Sequence, residues 1–188
     1  PSRSPKHSFR VLFKGIYGPT KLRYKFFPES TATGSFDTIT LRAGYNNSWI
    51  HSNGGQRSRA QLIRDQWMRD VLLGMEQVSS HGIFVHLYVN GLYWGLYNAV
   101  ERPSAPFASA YLGGDKDDYD ALNSAQAIDG NTSAWGTVHS RAGANMSSLS
   151  NYENVLDMLT PVNLADYMIA NFYGANQDWD HHNWYAAR

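Results

Sequence analysis

The stretch NQDWDHHNWYAAR (176–188) places two Asp, two His, two Asn and two Trp within thirteen residues. Three kinds of chemistry fit such a set. Asp178, Asp180, His181 and His182 are all competent metal ligands. Adjacent histidines on a strand point to opposite faces, however, and neither H-x-x-x-H nor H-x-H spacing occurs, which argues against a dedicated zinc site. A solvated loop held by Asx turns is the second reading. The third rests on one spacing, Asp178 and Asn183 as D-x-x-x-x-N directly after a helical pattern. In phosphoryl transfer a carboxylate accepts the proton of the attacking hydroxyl, and an amide oxygen five residues on coordinates a magnesium ion on the nucleotide phosphates.

The elements that must position these groups are bounded by composition. A chain of 188 residues with 43% hydrophobic and 17% charged residues can bury a core and is not expected to be disordered. Formal net charge is zero, which excludes broad electrostatic capture of nucleic acid or anionic membrane. There is no Cys, so thiolate metal sites, disulfides and Cys nucleophiles are excluded, while the compartment stays open. No apolar run approaches the roughly 18–20 residues of a membrane span. Both ends, PSRSPKHS and the break after Arg188, read as cuts within a longer protein.

Alternation of apolar residues predicts strands over 9–13 and 22–27, joined through GIYGPT as a hairpin, and a third strand over 36–44. Ser58 is placed to cap a helix over 58–73 that carries Ile63, Trp67 and Val71 on one face and ends at Gly74. Residues 82–101 are two β-rich runs around Asn90-Gly91, the strongest short hairpin signal. GGDKDD (113–118) reads as an acidic turn, and 125–151, rich in Ser, Gly, Ala and Asn, as a flexible polar insert with at most one weak helix. YENVLDMLT (152–160) reads as helical. A better helix follows, capped by Asn163, with Leu164, Met168, Ile169 and Phe172 on one face and Gly174 at its end. The order gives an α+β fold with a mainly antiparallel sheet first. Trp49, Trp67 and Trp94 are read as core residues.

With these pieces in place, the chain resembles the CotH family of atypical protein kinases, named for spore coat protein H. The matching stretches are FRVLFKGIYGPTKLRY, FDTITLRAGYNNSWI, LIRDQWMRD, FVHLYVNGLYWGLYNAVERP, YLGGDKDDYDALN and ANQDWDHHNWY, spread over roughly 9–185. NGLYWGLYNAVERP and N-x-D-x-x-x-x-N are the most specific. The resemblance implies a protein kinase-like fold. Residues 1–102 would form an N-lobe-like sheet with the 58–73 helix as helix C, and 101–106 a hinge. Residues 103–188 would form the start of a mostly helical C-lobe, with the insert at 125–151 and the catalytic loop at 176–185. It further implies ATP- and Mg²⁺- or Mn²⁺-dependent transfer to protein Ser/Thr hydroxyls, in a bacterial cell-envelope, spore-surface or secreted setting.

Carried over by motif, Asp178 is the catalytic aspartate and Asn183 the metal-binding asparagine. Glu101, which closes GLYxxxE, is a nucleotide contact. Arg42 in LRAG is the phosphate-contacting cation, with Lys14 as its rival. Arg64 and Asp65 match the family's IRD pattern, and one of them orients that cation. An intrahelical Asp65–Arg69 pair is the plainer alternative. Kinases also use a second metal-binding Asp beyond the catalytic loop, which this stretch does not reach. Residues 1–188 are therefore expected to be inactive alone. Two other functions compete: a carbohydrate-binding or adhesion module using the aromatic surplus, and a degenerate kinase fold acting as a scaffold.

Overall fold

A computed structural model describes residues 4–188, which divide into two compact units. The first runs to Leu73 and resumes over Val78–Arg102; the second comprises Gly74–Gln77 and Pro103–Arg188. Both combine helices with antiparallel strands, so the α+β expectation holds.

The first unit is built on a four-stranded sheet in the order β1-β4-β6-β5, formed by β1 (Phe9–Leu12), β4 (Thr38–Arg42), β5 (Gly82–Val89) and β6 (Leu92–Glu101). β5 and β6 form the hairpin expected from Asn90-Gly91, with Val89 opposite Leu92. Both turn residues lie in the left-handed region, φ 51° and 79°. That is the backbone a two-residue turn needs to match strand twist, and Asn and Gly tolerate it best. Phe27, Phe36, Ile39 and Ala99 form the buried core, with Phe13, Leu22, Ile83 and Val85 packed around them. Phe27 makes edge contacts with Phe26 and Phe36 at ring separations of 5.1 and 5.5 Å.

The expected hairpin through GIYGPT does not form. β1 pairs with β4, Phe9 opposite Leu41, while β2 (Leu22–Arg23) pairs with β3 (Ser35–Phe36). Alternation identifies a strand and its buried face but not its partner. Here Lys14 O accepts from Tyr17 N, closing a tight turn, and no ladder follows it. The third predicted strand is split at Asp37 into β3 and β4.

The helix expected from Ser58 starts later. Asn53 Oδ1 accepts from Gln56 N at 3.0 Å and caps a short helix, α1 (Gly54–Ser58), so Ser58 closes one turn instead of opening the next. α2 then covers Arg64–Gly74. It buries none of its residues fully, and Trp49, Trp67 and Trp94 are all exposed, Trp49 at 70%. The core assignment of these three indoles is therefore wrong.

The second unit holds α3 (Ala105–Leu112), a three-stranded sheet β8-β7-β9, and three further helices. β7 (Ala121–Asn123) pairs with β8 (Gln126–Asp129) and with β9 (Tyr185–Ala187). The segment 125–151 is not a flexible insert. It contributes β8, α4 (Ser133–Ala142) and the start of α5 (Leu149–Leu156). Its polar residues form local bonds: Asp120 Oδ1 accepts from Asn131 N at 2.6 Å, and Asn131 Oδ1 from Ser133 N at 2.8 Å. Composition signalled loop because Ser and Asn satisfy backbone groups, and at a helix start that is the same job.

α6 (Pro161–Tyr173) has Pro161 in its first turn, where a missing N–H costs nothing. Thr160, not Asn163, holds the N-cap position; Asn163 Nδ2 donates to Gln77 Oε1 at 2.8 Å. The helix buries Ala170 and Asn171, whereas Leu164, Met168, Ile169 and Phe172 are exposed, Phe172 at 65%. Beyond it Gly174 remains right-handed, and Ala175, at φ 48°, makes the left-handed turn.

Two glycines test these local constraints. A Cβ at Gly91 meets nothing within 4 Å, so Gly91→Ala carries only the left-handed penalty, about 1 kcal/mol. At Gly130, φ 66°, a Cβ would sit 2.9 Å from Asp120 Cα and from Tyr119 O. Gly130→Ala is expected to cost more, about 2–3 kcal/mol. Denaturant melts of the two variants check the order.

Candidate active site

The segment after α6 is held by a buried amide. Asn171, on the last turn of α6, is 4% exposed, and its Nδ2 donates to Tyr167 O at 2.8 Å. Its Oδ1 accepts from Asn176 Nδ2 at 2.8 Å, and its backbone O from Asn176 N at 3.0 Å. Asn176 Oδ1 in turn accepts from Asp178 N at 3.1 Å. The Asn of N-x-D is thus an Asx bridge from the helix to the aspartate. Trp179 packs edge-on against Tyr167 and Phe172, at 5.9 and 5.8 Å, fixing the loop to α6. Burial pushes the Tyr167 phenol up, against hydrogen bonds from Trp179 and Asn171.

The far side of the loop is tied to the sheet. Asn183 N donates to Ser124 Oγ at 3.1 Å, and Ser124 N donates to Trp184 O at 3.0 Å, just before β9 pairs with β7. Between these anchors the chain turns sharply: Asp180 and Asn183 have φ of 76° and 64°. The result joins the two predicted residues. Asn183 Nδ2 donates both to Asp178 O and to Asp178 Oδ2, each at 2.9 Å. With the amide nitrogen committed to Asp178, Asn183 Oδ1 is the atom left to ligate, an oxygen donor of the kind magnesium accepts while keeping several waters.

The histidines are not arranged as a strand would arrange them. Residues 178–184 are bends and irregular chain, and the two imidazoles lie on one side with ring centres 4.0 Å apart. His182 Nε2 is 2.7 Å from Asp178 Oδ1. Sequence reasoning dismissed the pair by assuming extended backbone. It also missed Asn171, Trp179 and Ser124, which carry no motif signal.

In the first unit, Arg42 ends β4 and its guanidinium meets Asp65 of α2 at 2.5 Å. Asp65 also accepts from Asn47 Nδ2 at 3.1 Å. Asp65 thus pairs with Arg42, while Arg69 bonds Asn98 Oδ1 at 2.5 Å and Gln66 Oε1 at 2.9 Å. Arg64 is turned away, donating to Arg59 O. Lys14 is exposed beyond the end of β1. Arg69 was named from the sequence only as an intrahelical partner of Asp65. Burial, then Arg42 nearby, pulls its guanidinium down to about 10, and its Nε is buried with no partner among the described residues. The two guanidiniums lie near two carboxylates, Asp65 and Asp70, and Arg69 keeps one buried donor unsatisfied.

Glu101 ends β6 opposite Ile39 and is 4% exposed. Its Oε2 accepts from His81 N at 2.9 Å and from His81 Nδ1 at 2.8 Å. A carboxylate only accepts, so Nδ1 carries the donor proton, and His81 Nε2 meets Thr31 Oγ1 at 2.9 Å. A cavity of about 460 Å³ opens in the second unit along Asp120, Asn131, Arg141, Asp157 and Arg188, and none of the residues named from the sequence lines it.

The chain belongs to the CotH family: the family model described as CotH kinase protein matches residues 2–188. Neither a curated protein nor a solved structure matches the chain.

The Glu101 geometry has a direct test. Glu101→Ala removes the acceptor for two donors of a buried residue and is expected to destabilise by about 2–4 kcal/mol. Glu101→Gln keeps one acceptor oxygen and should cost less. Equilibrium unfolding of both variants measures this. An unchanged melting curve with weakened nucleotide binding would show instead that Glu101 acts mainly on ligand.

Proposed function

We propose that this CotH-family chain is a phosphotransferase domain that uses ATP and Mg²⁺ or Mn²⁺ to phosphorylate Ser or Thr hydroxyls of proteins in an extracytoplasmic setting. The observation that carries the reading is the Asn183 amide held on Asp178 within N-x-D-x-x-x-x-N. Asp178 is the base that takes the proton of the attacking hydroxyl. Asn183, through its Oδ1, is a ligand to the divalent ion, whose chemistry is to neutralise charge on the transferred phosphoryl group. Arg42, held by Asp65, is the phosphate contact, with Arg69 behind it. An ion pair between a strand cation and a helix carboxylate is the arrangement kinases use to aim such a cation. Lys14, Arg64 and Glu101 have weaker support: Lys14 is exposed, Arg64 bonds the preceding loop, and Glu101 is engaged by His81.

Binding is the first test. ATP with Mg²⁺ or Mn²⁺ at about 100 times its Kd should stabilise the domain by about 2.7 kcal/mol, seen as a rise in melting temperature. Asp65→Ala, which releases Arg42, should weaken ATP binding about tenfold, or about 1.4 kcal/mol. A shift with oligosaccharide and none with nucleotide would favour a carbohydrate-binding module. In any polypeptide carrying this domain that transfers phosphate, Asp178→Ala should lower turnover by about 10²–10⁴-fold without unfolding the domain. Survival of activity removes Asp178 from the base role.

A further inference from the structure

The loop that carries Asp178 also carries a second donor set of a different chemical kind. Asp178, His181 and His182 each offer a ligand atom, and these atoms all lie within 4.8 Å of one another. Their spacing is i, i+3 and i+4, which falls on one side of a turn but on both faces of a strand. The left-handed residues Asp180 and Asn183 bend the chain so that both imidazoles come to the Asp178 side. His182 Nε2 already lies against Asp178 Oδ1 at 2.7 Å. His181 Nδ1 is 3.7 Å from Asp180 Oδ1, beyond hydrogen-bond distance, so that carboxylate does not hold the ring away from Asp178.

We propose that Asp178, His181 and His182 form a transition-metal site of the zinc class, distinct from the Asn183 oxygen assigned to Mg²⁺ or Mn²⁺, and that filling it withdraws Asp178 from phosphoryl transfer. The donor chemistry selects the metal. Two imidazoles and one carboxylate suit Zn²⁺, Co²⁺ or Ni²⁺ and are poor ligands for Mg²⁺. Three protein ligands with a fourth position open to water is a common zinc arrangement. Tetrahedral ligands about 2.0 Å from the metal sit roughly 3.3 Å apart. The present 4.8 Å spread therefore closes by rotation of exposed side chains, without moving the anchors at Asn171 and Ser124. Asp178 is also the proposed base, so a metal held by the imidazoles takes up the carboxylate that proton transfer needs.

The site itself does not depend on the phosphotransferase reading; its effect on turnover does. The test therefore has two arms. In the first, Co²⁺ is titrated into tag-free protein with excess Mg²⁺ present, and the visible d–d absorption is followed. One tetrahedral Co²⁺ per chain, displaced by Zn²⁺, is expected. His181→Ala and His182→Ala should each weaken it about tenfold or more, whereas His86→Ala, on β5, should leave it unchanged. No tetrahedral band, or a band indifferent to His181→Ala and His182→Ala, overturns the site. In the second arm, Zn²⁺ is added to a polypeptide carrying the domain that transfers phosphate. Inhibition that a chelator reverses, and that His182→Ala abolishes, is expected. Full turnover with the Co²⁺ site demonstrably filled overturns the blocking role and leaves the metal site standing.

Discussion

A polar side chain removed from water must find its partners inside the protein, and each unit turns that requirement into geometry. In the first unit Glu101 is nearly inaccessible and takes both the backbone N–H and the imidazole of His81, so the end of β6 and the approach to β5 are locked at the edge opposite their turn. In the second, Asn171 spends its amide on Tyr167 and Asn176, which sets where the chain leaves α6. The rest of the active loop follows from that second bond. Asn176 aims Asp178, the left-handed residues turn the chain back, and Asn183 closes on the carboxylate.

The parts legible in the sequence are those whose cause is local. Asn90-Gly91, set between two β-rich runs, supplies the left-handed backbone that a two-residue hairpin needs, and the hairpin forms there. Pro161 and a helical period produce α6 within a residue or two. D-x-x-x-x-N reports a return of the chain that the structure makes. Parts that depended on distant partners were misread. β1 has the alternation of a strand, but its partner, β4, lies beyond a closer candidate, and nothing in residues 9–27 names it. The Ser- and Asn-rich segment looked like loop because its side chains bond backbone, and they do so at the start of α4. Apolar faces on α2 and α6 implied burial, yet Ile63, Trp67, Ile169 and Phe172 are exposed among the described residues. Period shows that a face is apolar; what lies against it is outside the period.

The arginine cluster was half legible. LRAG and IRD point to Arg42 and to an acid on the helix, and Asp65 meets Arg42. Arg69 gave no sign beyond its i+4 spacing from Asp65, and that spacing suggested the wrong bond. Arg69 instead crosses to Asn98, the residue opposite Arg42 in the β4–β6 ladder. One register position thereby brings two guanidiniums into a partly dry environment near Asp65 and Asp70. Burial first, and the nearby Arg42 charge second, pull the Arg69 guanidinium down to about 10.

The closing loop joins hard and soft donors on one carboxylate. Asn183 brings an amide oxygen to Asp178, and His181 and His182 bring two imidazole nitrogens to the same carboxylate. The same backbone bend produces both sets, because reversing the chain between 178 and 183 necessarily carries residues 181 and 182 past the carboxylate. Substituting the histidines would leave Asn183 on Asp178, since its bonds run to the loop and to Ser124 and not through an imidazole. The histidines are therefore dispensable to the Asn183–Asp178 contact. Their place beside that carboxylate is what lets a metal held by them, as proposed above, take it out of proton transfer.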